Sequence, residues 1–152
     1  MNKLSSHFTL DEMLVSQTAA RLGIDNTPSE HHIKNLTRLA RVLEDVRMIY
    51  GKPLIVSSGY RCPELNKVIG GSPTSAHQDG RAVDFTIPGI APLEVCIAIV
   101  GAGIEVDQCI HEFGKWIHLG IATEDQPSRR QLLTATRQNG RTVYLPGLLE
   151  VA

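Results

Sequence analysis

Hydrophobic positions in the first third of the chain recur with a helical period. Ile33, Leu36, Leu39, Ala40, Leu43 and Val46 fall on one face, whereas Arg38, Arg41, Glu44, Asp45 and Arg47 fall largely on the other. Thr27-Pro28-Ser29-Glu30 has the hydroxyl-to-glutamate spacing of a capping box with proline at the first helical position. Gly51 and Pro53 close the far end, so the pattern predicts a helix over residues 28–50. Thr9-Leu10-Asp11-Glu12 carries the same signature and predicts an earlier helix start. After residue 50 the texture changes. Residues 54–57 read as a short buried strand, and Cys62-Pro63 opens a short helix that Gly70-Gly71 ends. A polar loop leads to Gly80. Residues 81–87 then alternate, with Val83, Phe85 and Ile87 on one side and Ala82, Asp84 and Thr86 on the other. Residues 92–100 form an apolar helix. Residues 106–112 and 116–122 read as strands joined across Phe113-Gly114-Lys115, and Asn139-Gly140 joins a second hairpin from residues 132–136 and 142–145. Helices first and strands later predict an α+β fold, with N-terminal helices packed on a small, mainly antiparallel sheet.

Composition narrows the picture. With 152 residues, 42% hydrophobic and 20% charged, the chain can bury a sizeable core, and wholesale disorder is excluded. No repeat or low-complexity segment divides it, so residues 1–152 are expected to form a single domain. Fifteen basic against sixteen acidic residues leave a net charge of −1, which argues against nucleic acid as a partner. No apolar run approaches the roughly 20 residues that span a bilayer. The start lacks a charged segment followed by an apolar one, so the expectation is a protein that is cytoplasmic as synthesised, and a monomer. Cys62, Cys96 and Cys109 are odd in number and lack a CxxC pair, as expected of reduced structural thiols.

The chemistry concentrates in Ser75-Ala76-His77-Gln78-Asp79-Gly80-Arg81-Ala82-Val83-Asp84. A histidine on the loop can turn back over the mouth of the following strand, where Asp84 points away from the apolar side. A buried carboxylate without a partner costs several kcal/mol, and a divalent cation would supply one. In Trp116-Ile117-His118-Leu119-Gly120-Ile121 the apolar residues share one face, which leaves His118 on the same non-core side as Asp84. His77, Asp84 and His118 therefore make a candidate two-histidine, one-carboxylate site, with room for water to complete a tetrahedron. The competing interpretation makes His118 a hydrogen-bonded core histidine and Asp84 a turn or surface acid.

A resemblance sharpens the choice. Residues 75–84 read SxHxxGxAxD and resemble the first zinc motif of the D-alanyl-D-alanine carboxypeptidases and related phage endolysins, which belong with lysostaphin-type enzymes and the hedgehog signalling domain. Trp116-Ile117-His118 resembles the WxH that carries the last ligand. Ser57-Ser58-Gly59-Tyr60-Arg61-Cys62-Pro63-Glu64-Leu65-Asn66 is similar to the SGYRxPxxN segment before the histidine. Phe8-Thr9-Leu10-Asp11-Glu12 with Asp25-Asn26-Thr27-Pro28 looks like the short phage and prophage branch. The match covers roughly residues 8–122 and leaves residues 123–152 as a C-terminal hairpin and tail.

The resemblance implies a hedgehog/DD-peptidase-like fold, one zinc ion on His77, Asp84 and His118, and a peptidoglycan or muropeptide substrate. It also implies a general base shortly before the final histidine. The usual position, three residues ahead, is Lys115, which cannot serve. Glu112 stands six residues ahead, a spacing that resembles the hedgehog-type arrangement, with His111 in reserve. Arg61 occupies the family's arginine position, where a guanidinium clamps a carboxylate or an oxyanion. Ser75 and Trp116 are placed to orient the loop and line the cleft. Cys62 has no base beside it and is not a nucleophile. The Arg129-Arg130 pair reads as a solvated face. A soluble phage endolysin, released to the wall by a holin, fits these features, as does a prophage-borne or cytoplasmic enzyme. A hedgehog-like zinc domain that binds without cutting is the alternative, kept open by Lys115.

Overall fold

Three helices precede the sheet in the computed structural model, which describes residues 2–151. Helix α1 (Leu10–Leu14) starts as its box predicts: Thr9 Oγ1 accepts the Glu12 N–H, and the Glu12 carboxylate accepts the Thr9 N–H. Helix α2 (Gln17–Leu22), which the pattern did not separate, starts on a Ser16 cap. Helix α3 (Glu30–Tyr50) begins two residues later than predicted. Ser29 is its N-cap, and His32 closes the box by accepting the Ser29 N–H. Thr27 cannot cap because its hydroxyl and backbone N–H both donate to the Asp25 carboxylate. The apolar stripe of α3 lies where periodicity put it, with Leu36, Leu39, Leu43 and Val46 all 0% exposed.

The sheet has six strands: β1 (Ile55–Ser58), β2 (Ala82–Thr86), β3 (Gln108–Glu112), β4 (Trp116–Gly120), β5 (Gln131–Gln138) and β6 (Arg141–Pro146), in the order β1-β2-β4-β3-β5-β6. Both predicted hairpins form, β3–β4 and β5–β6. Every neighbouring pair is antiparallel except β3 and β5, which run parallel, so the sheet is mixed. One expectation is corrected here. The first strand is not buried but forms an edge, with Ile55 51% exposed, because it pairs only with β2.

Helix α4 (Pro63–Ile69) follows β1, with Cys62 at its cap, and helix α5 (Pro92–Gly101) crosses from β2 toward β3. Val83, Phe85, Cys109, Ile117 and Leu119 turn one face of the sheet into a single core with α3 and α5. Period two then obliges Asp84, Ile110 and His118 to face the other way. All three cysteines are free thiols.

Between α4 and β2 the chain makes a short 3₁₀ turn, Ala76–Asp79, ended by Gly80 at φ +75°. A Cβ at Gly80 would stand 2.7 Å from the His32 carbonyl oxygen of α3. Gly80→Ala is therefore expected to lower the unfolding free energy by more than about 1 kcal/mol in a denaturant titration, since left-handed strain adds to the clash. An unchanged midpoint would show that the turn yields freely.

Candidate metal centre

Asp84 on β2 and His118 on β4 are directly opposite one another in the ladder, so their side chains leave the same face side by side. His77 comes to them from the 3₁₀ turn. Ser75 Oγ accepts the His77 N–H at 3.2 Å, and the Arg61 N–H donates to the His77 carbonyl at 3.1 Å, which ties the turn to the end of β1. The three side chains meet: their ligand atoms all lie within 4.8 Å of one another, and all three residues are buried. Among the described residues no fourth His, Cys, Asp or Glu joins the group.

The donor inventory points to a cation. His77 Nδ1 lies 2.7 Å from the Gly59 carbonyl, which can only accept, so the imidazole proton sits on Nδ1. The lone pair of Nε2 then faces Asp84 Oδ1 at 3.2 Å, acceptor against acceptor. His118 Nδ1 lies 3.0 Å from the same oxygen. Burial lowers the pKa of His77, which disfavours a proton as the bridge. Burial pushes the Asp84 carboxyl up, but in the metal-free protein the charge and hydrogen bonds that His77 and His118 supply when protonated outweigh it and hold the carboxyl below the usual carboxylate range. Two ligands on one tetrahedral zinc-sized ion stand roughly 3.3 Å apart. The 3.2 Å and 3.0 Å spacings of the two imidazoles from Asp84 Oδ1 are close to that value.

Gly59 has its own constraint. Any Cβ there would run into the Met13 backbone, and the Tyr60 N–H donates to the Met13 carbonyl at 2.8 Å. Asn26 pins the next residues. Its Nδ2 donates to the carbonyls of Leu14 and Tyr60, and its Oδ1 accepts the Cys62 N–H at 2.8 Å. These bonds on either side of Arg61 direct its guanidinium into the cleft. Arg61 Nε is buried there without a hydrogen-bond partner among the described residues. Burial works against the guanidinium charge, while Asp84 and Glu112 support it.

Glu112 ends β3, on the same side of the sheet as the group. One of its oxygens lies 3.8 Å from His118 Nδ1, and its side chain is only 14% exposed. Burial first, and the Asp84 carboxylate second, push Glu112 up to about 7. Its chain neighbour His111 has the opposite fate, as alternation requires. It faces away from the cleft and donates from Nδ1 to the Leu149 carbonyl at 2.9 Å. Trp116 lies across from Glu112 in the ladder and lines the cleft, with its ring 5.4 Å from that of Phe113 and its indole N–H buried beside the Glu112 carboxylate, with no close hydrogen-bond partner among the described residues. Ser75 also lines the cleft, which has a volume of about 750 Å³. Cys62 is occupied as the cap of α4.

Some cleft residues escaped the sequence analysis. Arg129 is solvent-exposed, as a solvated face requires, but it also makes a two-pronged pair with Asp107, at 3.2 Å to Oδ1 and 2.9 Å to Oδ2, on the cleft rim. Twenty-two residues separate the two, so no local pattern announces the pair. Tyr144 on β6 also lines the cleft. Its only sequence signal was its place in the alternation of the last strand.

A carboxylate shared by two imidazoles, flanked by an acid and a guanidinium on an open sheet face, defines a metal site of the hydrolytic class. Residues 6–120 match the family model described as Peptidase M15, and the chain belongs to that family of zinc-dependent metallopeptidases. A search of curated proteins found no match. No helix among the described residues is long and apolar enough to cross a membrane.

Two outcomes are expected. Zinc at about 1,000 times its Kd should stabilise the unsubstituted protein by about 4 kcal/mol in thermal unfolding, and His77→Ala should show no such gain. A gain that survives His77→Ala would place the ion elsewhere. In the metal-free protein Glu112 binds its proton more tightly folded than unfolded, so its stabilising effect is full below pH 4.5 and is lost as the pH rises toward about 7. Glu112→Gln should thus gain on its parent by on the order of 3 kcal/mol between those limits. A pH-independent difference between the two would contradict the raised value.

Proposed function

We propose that the protein is a zinc peptidase that hydrolyses peptidoglycan stem peptides, either as a D-Ala-D-Ala carboxypeptidase or as an endolysin-type endopeptidase. The observation that carries this is the position of Glu112: a buried carboxylate, pushed up to about 7, at 3.8 Å from His118 and outside the three-residue ligand group. A general base works best with a pKa near the working pH and within reach of the attacking water.

His77, Asp84 and His118 would hold the zinc, which supplies Lewis acidity that lowers the pKa of water toward about 7 and polarises a carbonyl. Glu112 takes the proton of the attacking water on a carboxylate oxygen and later delivers it to the leaving amine. Arg61, free of a hydrogen bond at Nε, donates to the carbonyl oxygen as it gains charge, or holds the terminal carboxylate of the peptide. Ser75 keeps the His77 turn in place, and Trp116 offers an apolar wall to the peptide, its indole N–H lying beside the Glu112 carboxylate. Release to the cell wall, by a holin or another route, belongs to the same proposal.

Lys115, at the position the family gives to an acid, favours a second possibility: a hedgehog-like domain that binds peptide around zinc without cutting it. Mass analysis of muropeptides incubated with the zinc-loaded protein separates the three. Loss of a single D-Ala marks a carboxypeptidase, an internal cut an endopeptidase, and intact substrate the binding domain.

Glu112→Gln should retain one zinc per chain and lose about 10²- to 10⁴-fold in kcat. Retention of activity within threefold would move the base elsewhere. Since Glu112 must be ionised to act, kcat/KM should fall as the pH drops through an acid limb at or below about 7, the bound cation pulling the limb downward. A rate flat down to the ordinary carboxylate range would remove Glu112 from the mechanism.

A further inference from the structure

The β5–β6 hairpin lies outside residues 6–120, the segment that matches the family, yet it builds one wall of the cleft through Leu133, Arg137, Thr142 and Tyr144. Its register explains how. Trp116 pairs with Glu112, Glu112 with Ala135, and Ala135 with Tyr144, so a single row crosses four strands from Trp116 through the candidate base to the tyrosine. Residues in one such row project from the same face. Ala135 is the smallest of the four. It leaves the space between Glu112 and Tyr144 open, where a long side chain would stand between them. Two strand spacings are about 10 Å, a gap that a tyrosine side chain can largely cross.

Tyr144 is also 54% exposed, although its phenol lies within electrostatic reach of Glu112, Asp84 and Arg61. It is a large aromatic residue left without a full packing partner beside a buried charged centre. Arg61 follows β1 and Tyr144 sits on β6, the two opposite edges of the sheet. They approach each other over the middle strands that carry Asp84, His118 and Glu112. The phenol stays protonated at neutral pH, since burial first and then the two carboxylates raise its pKa from the ordinary value. It is therefore a hydrogen-bond donor facing Arg61 Nε, one of two donors in the cleft that lack a partner among the described residues. Two donors converging from opposite sides fit an electron-rich oxygen on the ligand between them.

The geometry points to Tyr144 as a substrate-binding residue that closes the cleft opposite Arg61, its hydroxyl donating to a carbonyl or carboxylate oxygen of the bound peptide and its ring walling the peptide against Trp116. The assignment rests on the peptide-hydrolysing function proposed above. It extends the site to a hairpin that the family match does not include.

The test uses the zinc-loaded full chain and a synthetic stem pentapeptide ending in D-Ala-D-Ala. Tyr144→Phe should keep the zinc content and melting temperature and lose about tenfold in kcat/KM, one hydrogen bond's worth. Tyr144→Ala should lose about tenfold more, mainly through KM, as the wall goes. In the Glu112→Gln background, calorimetry should show the same order of loss in pentapeptide affinity for Tyr144→Phe and Tyr144→Ala. Cleavage by the unsubstituted protein with both Tyr144 variants within twofold of it overturns the role of Tyr144 alone. Binding without cleavage overturns hydrolysis and leaves Tyr144 to be judged by affinity. Neither binding nor cleavage overturns both.

Discussion

One carboxylate oxygen, Asp84 Oδ1, stands 3.2 Å from one imidazole and 3.0 Å from another in a buried place. A carboxylate so placed is costly unless positive charge compensates it, and its removal from water strengthens whatever does. Each surrounding element serves this junction. The β2–β4 register sets Asp84 beside His118, Gly80 and Ser75 shape the turn that returns His77, and the Gly59 carbonyl keeps the His77 proton on the far nitrogen. The result turns the free lone pair of His77 Nε2 and the Asp84 carboxylate toward one another, with His118 beside them. That is the electrostatic definition of a cation site.

The sheet separates this polarity from the core by geometry alone. On β3, His111 and Glu112 are adjacent in the chain and both can ionise. One turns inward to bond the Leu149 carbonyl, and the other joins the cleft beside His118. Strand alternation thus settles which of two neighbouring groups faces the cleft. The same alternation lets an apolar core on one face and a charged cleft on the other share β2, β3 and β4 without conflict. The parallel join of β5 to β3 then extends the cleft face beyond β2, β3 and β4, and β6 carries that extension to its edge.

Several elements were legible from neighbours in the chain. The Thr9 box, the α3 stripe, both hairpins and the opposite faces of Val83 and Asp84 follow from period and turn chemistry within a few residues. Even locally, competition misled: Asp25 captured the Thr27 hydroxyl and moved the start of α3 to Ser29. Residues 54–57 looked buried because their composition is apolar. Composition does not say whether a strand has one neighbour or two.

The amino-acid order by itself determined the helical and strand periods, the caps and turns, and the kinds of side chain available for chemistry, because each depends on covalent neighbours and short-range sterics. Only the folded chain decided that Asp84 faces His118, that Arg129 holds Asp107, that Asn26 pins the segment bearing Arg61, and that Tyr144 reaches the row of Glu112. Those juxtapositions are questions of register and strand order. They are settled by which distant faces bury together, a global balance of chain entropy against apolar burial that no single stretch of sequence contains.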